Sequence, residues 1–150
     1  MNQVRPVLLV EDNLHDIELT LAALKQNNLA NEVVVARHGA EGLDYLYRRG
    51  KFQDRVPGHP VVVFLDLKMP KVDGLQVLRQ MKGDESLKVI PVVMLTSSRE
   101  EADLVNSYRL GVNAYVVKPV GFQQFSEAIK QLGMFWAVLN EPAPGERGGP

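Results

Sequence analysis

The sequence predicts a doubly wound α/β sandwich: one sheet of five parallel strands in the order 2-1-3-4-5, flanked by five helices. Three observations predict it. Short β-branched runs alternate five times with longer helix-period segments. The runs are apolar nearly throughout rather than at every second residue, as in strands covered on both faces. The chain has 150 residues, 45% apolar and 23% charged. It therefore suits one globular domain burying about 68–70% of its unfolded surface. No internal repeat goes beyond the alternation, and its count fits the 2-1-3-4-5 order.

The elements follow in turn. Val7-Leu8-Leu9-Val10 is the first strand, and Ile17, Leu21 and Leu24 mark the helix after it. Val33-Val34-Val35 is the second strand, followed by a helix marked by Leu43, Leu46 and Tyr47. Residues 48–60 (RRGKFQDRVPGHP) read as a long, locally basic connection into the third strand, Val61 to Leu65. Leu75, Leu78 and Met81 mark the third helix, and Val92-Val93-Met94-Leu95 forms the fourth strand. Leu104, Val105 and Tyr108 mark the fourth helix, and Ala114-Tyr115-Val116-Val117 is the fifth strand. Phe122, Phe125, Ile129, Leu132, Trp136 and Leu139 outline a long last helix. Residues 141–150 are rich in proline and glycine and read as a disordered tail, leaving one domain over 1–140.

Composition removes several function classes. Seventeen basic and eighteen acidic side chains leave a formal charge of −1, which gives no case for binding nucleic acid or an anionic membrane. The absence of cysteine excludes disulfides, thiolate zinc sites and thiol catalysis, and it fits a cytoplasmic protein. Residues 1–6 carry no apolar signal segment, and the most apolar stretch, Leu132 to Leu139, is far short of the ~20 residues of a membrane span.

Ligands of a doubly wound sheet bind beyond the carboxyl ends of its strands. There the first strand ends in Glu11-Asp12, the third in Asp66, the fourth in Thr96-Ser97 and the fifth in Lys118-Pro119. A single acid at a strand end is ordinarily a loop residue or a helix cap. Three acids, a hydroxyl and an amine at four strand ends are not accounted for that way. At an effective dielectric of 20, each carboxylate pair at 4 Å repels by about 4 kcal/mol. Protonation or a cation must relieve that repulsion. A donor set of oxygens alone favours Mg²⁺. With its charge offset, Asp66 can act as an oxygen nucleophile toward a phosphoryl group. Lys118 would offset charge on the phosphoryl oxygens, and Thr96 would hydrogen-bond one of them.

Four blocks, Val10-Glu11-Asp12-Asn13, Leu65 to Pro70 with Asp73-Gly74, Leu95-Thr96-Ser97-Ser98 and Tyr115-Val116-Val117-Lys118-Pro119, resemble the signatures of response-regulator receiver domains. The resemblance covers residues 7 to about 139 and implies a flavodoxin-like receiver fold. The gaps of 30 residues from Asp66 to Thr96 and 22 from Thr96 to Lys118 suit the family, whereas the 48–60 insertion lengthens the gap from Asp12 to Asp66. The resemblance implies that Asp66 accepts a phosphoryl group from a histidine kinase. Glu11, Asp12, Asp66 and the backbone carbonyl of Lys68 would hold Mg²⁺. Lys118 would bind the phosphoryl group, the Lys118-Pro119 bond would be cis, and Thr96 and Tyr115 would form the switch pair. Met69-Pro70 and Gly74 would shape the loop after Asp66.

Two departures stand out. The acid pair is Glu-Asp rather than Asp-Asp, and Lys68 places a cation two residues past the phosphoacceptor. That lysine either changes the rate of water attack on the acyl phosphate or is solvated and lends only its carbonyl. The insertion and the ending Leu132 to Pro142 resemble small stand-alone receivers paired with phytochrome-type light-sensing kinases.

Residues Ile129, Leu132, Trp136 and Leu139 would form one stripe, with Met134, Phe135 and Val138 pointing elsewhere. This predicts a homodimer through helix 4, strand 5 and helix 5, or else a tail folded back over them. His15, His38 and His59 show no metal spacing, and Arg48, Lys51 and Arg55 read as a solvated loop at the rim opposite the acids. Two other functions compete with a kinase-fed switch. A Mg²⁺-dependent phosphohydrolase with an aspartyl-phosphate intermediate, as in the haloacid dehalogenase-like group, usually carries a second aspartate where Lys68 stands. A non-phosphorylated binding module would normally have lost an acid or the lysine, and this chain retains each.

Overall fold

The computed structural model describes residues 5–26 and 31–132. Five parallel strands, β1 (Val7–Val10), β2 (Val33–Ala36), β3 (Val62–Asp66), β4 (Val92–Thr96) and β5 (Ala114–Val117), form one sheet. Their order is β2-β1-β3-β4-β5, as the alternation predicts. The helices are α1 (Leu14–Gln26), α2 (Gly39–Tyr47), α3 (Gly74–Lys82), α4 (Arg99–Ser107) and α5 (Phe122–Leu132).

Every residue of β1, β3 and β4 is buried, which explains their unbroken apolar character. Successive side chains point to opposite faces, so each strand feeds two cores. Val7, Leu9 and Phe64 meet Ile17, Leu24 and Phe125 on the α1–α5 face, where the rings of Phe64 and Phe125 lie 5.5 Å apart. Leu8, Val10, Val63 and Leu65 meet Leu46, Leu78 and Met81 on the other face.

Two expectations need correction. Of the three residues expected to mark the fourth helix, Val105 is buried together with Ala102, whereas Leu104 and Tyr108, the residue that caps α4, stay 58% and 46% exposed. A nine-residue helix with this polar composition reaches the sheet with two small residues, so its larger apolar side chains face outward. The 48–60 connection is also more than a solvated loop. It contains a 3-10 turn, Gly50–Phe52. The Arg55 guanidinium lies 4.1 Å from the centre of the Tyr45 ring. It donates from Nε to the Tyr45 carbonyl at 2.7 Å and from one terminal nitrogen to the carbonyls of Val56 and Gly58 at 2.7 and 2.9 Å. Lys51 pairs with Glu41 and Arg49 with Asp44. Arg55→Ala is expected to cost about 2 kcal/mol, read as a lower urea midpoint, because three carbonyl contacts and the ring stacking go together.

The side chains of Ile129 and Leu132, residues 134–139 of the predicted stripe, and the 141–150 tail lie outside the described residues.

Candidate phosphoacceptor site

The register of the sheet brings the chemistry to one rim. Val10 pairs with Leu65, Asp66 with Leu95, and Thr96 with Val117. The ladders run one residue further: Glu11 N–H donates to Ala36, Leu67 N–H to Leu95 and Lys118 N–H to Thr96, at 2.7–3.0 Å. Those bonds fix the backbone at the strand ends and so aim the side chains of Glu11, Asp66 and Lys118.

The Lys118 ammonium sits among carboxylates. Its Nζ lies 2.9 Å from Asp66 Oδ1, 3.0 Å from Glu11 Oε1 and 2.9 Å from Asp16 Oδ2. Glu11, Asp12 and Asp66 each bring an oxygen within 4.8 Å of the other two. Glu11 and Asp66 are buried, and Asp12 is half-buried. Burial pushes the Glu11 carboxyl up to about 7; Lys118 pulls it down, and the charge of Asp66 adds to the rise. Burial likewise raises Asp66 against the pull of Lys118. Burial opposes the charge on Lys118, yet Asp16, Asp66 and Glu11 outweigh it and hold the ammonium firmly protonated.

The Lys118 ammonium pairs with three carboxyls, and Asp12 adds a fourth to the cluster, so the cluster keeps a deficit of positive charge. Thr96 Oγ1 is enclosed and has no hydrogen-bond partner among the described residues. Hard oxygen donors, surplus negative charge and an unsatisfied hydroxyl together suit a divalent cation and an oxygen-rich ligand. Tyr115 lies half-buried on β5, and its hydroxyl too is enclosed without a partner among the described residues. Beside it a cavity of about 470 Å³ is lined by Arg99, Ala102, Lys118, Gln124 and Glu127. The Lys118-Pro119 bond is cis, as the resemblance implies.

The loop after Asp66 depends on Gly74. Its N–H donates to the Leu67 carbonyl at 2.8 Å. A Cβ there would fall 2.1 Å from the Asp66 carbonyl oxygen and 2.8 Å from Leu67 Cα. Asp73 and Gln76 close a capping box over the start of α3. Gly74→Ala is expected to destabilise the fold by about 3 kcal/mol, seen in thermal melting, since the clash is with backbone that carries the site.

Two further residues at this rim carry no signal in the sequence. Asp16, in the first turn of α1, is one of the three partners of Lys118, 102 residues away in sequence. Glu101, in the first turn of α4, pairs with the Lys68 ammonium and accepts from Ser97 N–H at 3.0 Å. Lys68 first and then Ser97 hold the Glu101 carboxyl below its usual range. Lys68 is therefore not simply solvated. No spacing rule announces either contact, because both depend on how a helix sits on the sheet. The histidines stay outside the rim chemistry: His15 is exposed, His38 caps α2 by accepting from Glu41 N–H, and His59 meets Ser86 Oγ at 3.2 Å.

The family model for the response regulator receiver domain matches residues 7–130. The chain belongs to that family. This receiver is 34% identical to the response regulator Rcp1 of Synechocystis sp. over 135 residues, 90% of each chain. Among solved structures it is similar to the bacteriophytochrome response regulator RtBRR, at 60% identity and a TM-score of 0.89, covering 97% of this chain and 88% of that one. It is also similar to the bacteriophytochrome response regulator AtBRR, at 65% identity and a TM-score of 0.87, covering 93% of this chain and all 100% of that one. Rcp1 has been solved in a Mn²⁺-bound form, to which the receiver aligns with a TM-score of 0.71 at 34% identity over 93% of this chain and 99% of that one. Its function is thus that of a response regulator with phytochrome-associated relatives. No helix among the described residues is long and apolar enough to cross a membrane.

Proposed function

We propose that the receiver accepts a phosphoryl group on Asp66 from a sensor histidine kinase of the phytochrome photoreceptor type, in the cytoplasm, and that the modified site changes the α4–β5–α5 surface. The observation that carries this reading is the Lys118 ammonium, 2.9 Å from Asp66 Oδ1 inside a cluster of carboxylates. The two bacteriophytochrome regulators support the kinase type by their likeness to this chain.

In the transfer, a carboxylate oxygen of Asp66 attacks phosphorus. An O–P bond forms as the P–N bond to the kinase histidine breaks, and the imidazole leaves with the electron pair. Glu11, Asp12, Asp66 and the carbonyl of Lys68 would hold Mg²⁺, which offsets charge on the carboxylates and the phosphoryl oxygens when bound. Lys118 is already placed to follow that charge as it moves outward from Asp66. The unpartnered Thr96 hydroxyl gains an acceptor in the phosphoryl group, and its movement would open space for the Tyr115 ring to turn inward. Exposed Leu104 on α4, Tyr108 at the end of that helix and Phe122 on α5 support a homodimer across the same surface. The formal charge of −1 supports partners other than nucleic acid.

Incubation with Mg²⁺ and acetyl phosphate, followed by intact-mass measurement, tests the reading. The expected result is a gain of one phosphoryl group that is absent in Asp66→Ala. A folded wild-type protein that gains none from either acetyl phosphate or a phosphorylated kinase would overturn it.

A further inference from the structure

Glu101 divides its carboxylate between two donors. Oε1 accepts from Ser97 N–H at 3.0 Å, and Oε2 pairs with the Lys68 ammonium. Ser97 follows Thr96 directly at the end of β4, and Lys68 lies two residues past Asp66 at the end of β3. These strands are neighbours, with Asp66 opposite Leu95, so both donors belong to loops bordering the phosphoacceptor. The Ser98 hydroxyl accepts from Glu101 N–H at 3.2 Å and fixes Glu101 in the first turn of α4. The reach of a first-turn glutamate back to the residue just before the helix cap accounts for the Ser97 contact. It does not account for Lys68, which reaches over from another loop although its side chain is 75% exposed.

We propose that Glu101 is an internal anion occupying donors that a phosphoryl group on Asp66 would engage, and so a positioning residue that sets the rate of phosphoryl acceptance. The inference rests on the reading of Asp66 as phosphoacceptor. A phosphoryl group brings about −1.5 to −2 charges against the single charge of a carboxylate, so it competes for Lys68 and Ser97 once it arrives. Until then Lys68 is turned toward α4 and lends little to the incoming anion. Displacement of Glu101 removes the tie between the β3–α3 loop and the first turn of α4, which links events at Asp66 to that helix.

The test is the rate of phosphoryl uptake from acetyl phosphate with Mg²⁺, by intact mass, in wild type, Glu101→Gln, Lys68→Ala and the double variant. Glutamine keeps the length and an oxygen for Ser97 N–H but offers no charge to Lys68. Glu101→Gln is expected to take up phosphoryl about three- to fivefold faster than wild type. In the Lys68→Ala background the same substitution is expected to change nothing. Where Glu101→Gln melts early, Glu101→Asp, which keeps the negative charge but shortens the reach to Lys68, serves with the same two expectations. An unchanged rate, or equal acceleration in both backgrounds, would overturn the role of Glu101 alone. No uptake by the folded wild type, from acetyl phosphate or from a phosphorylated kinase, would overturn the Asp66 reading and this inference with it.

Discussion

Lys118→Ala is expected to slow phosphorylation of Asp66 by about a hundredfold or more, the effect of removing one preorganised charge from a developing oxyanion. The ammonium is shared by Asp66, Glu11 and Asp16 at 2.9–3.0 Å, so its loss also strips three carboxylates of their common partner. Two of these, Glu11 and Asp66, are buried and already raised by that burial. Without Lys118 they bind protons more tightly, and a protonated Asp66 is a poor nucleophile. The variant should therefore recover part of its rate as pH rises, whereas the wild type should change less over the same range. Quench-flow uptake of phosphoryl from acetyl phosphate across pH 6 to about 9 checks both parts. A rate within a few fold of wild type would remove Lys118 from the chemistry.

The second large effect belongs to Glu11. Its carboxyl lies at about 7 in the folded protein against an ordinary 4.5, so between these values the folded state holds a proton that the unfolded chain has released. Stability from this group is complete below the unfolded value and is lost as pH rises through about 7. The span corresponds to about 3 kcal/mol. Asp66, raised as well, adds a loss of the same sign. Glu41, Glu101 and Asp84 are lowered, and their stabilisation is lost only as pH falls through the ordinary carboxylate range, so they leave this window clear. Urea midpoints of the metal-free protein should fall from pH 5 to about 7.5, and Glu11→Gln should flatten most of that fall. The same substitution is expected to weaken Mg²⁺ binding at least about a hundredfold, measured by calorimetry, because one of three carboxylates is gone. A wild-type midpoint that rises steadily over this window would contradict the assignment of Glu11 as the buried, proton-holding ligand.

The sheet was legible because its strands are buried on both faces, and an unbroken apolar run as short as Val62 to Leu65 suits a covered strand better than a helix. The core of the site was legible for a related reason: Glu11, Asp66, Thr96 and Lys118 stand at strand ends, and a parallel sheet brings all such ends to one side. Asp16 and Glu101 were not legible. Each lies on a helix whose rotation about its axis decides what it touches, and that rotation is set by packing, not by local pattern. Leu104 and Tyr108 show the same limit from the other direction, since the sequence groups them with Val105, yet Val105 is buried with Ala102 while they stay exposed. Arg55 looks solvated in the sequence because its partners are carbonyl oxygens, which every residue carries and no composition reveals.

The 48–60 connection has a consequence for how this chain tolerates change. Val7 pairs with Val62, so bringing β1 and β3 together closes a loop of 55 residues. Loop-closure entropy grows only with the logarithm of length, and about a dozen added residues cost roughly 0.2 kcal/mol. The contacts of Arg55 with Tyr45 and two neighbouring carbonyls outweigh that cost several times over. Chain added here lies at the amino ends of the strands, the full length of β3 away from Asp66. Variation in this segment can therefore remodel one end of the molecule while the carboxylate rim keeps its geometry, which makes it the natural place to insert a tag or reporter.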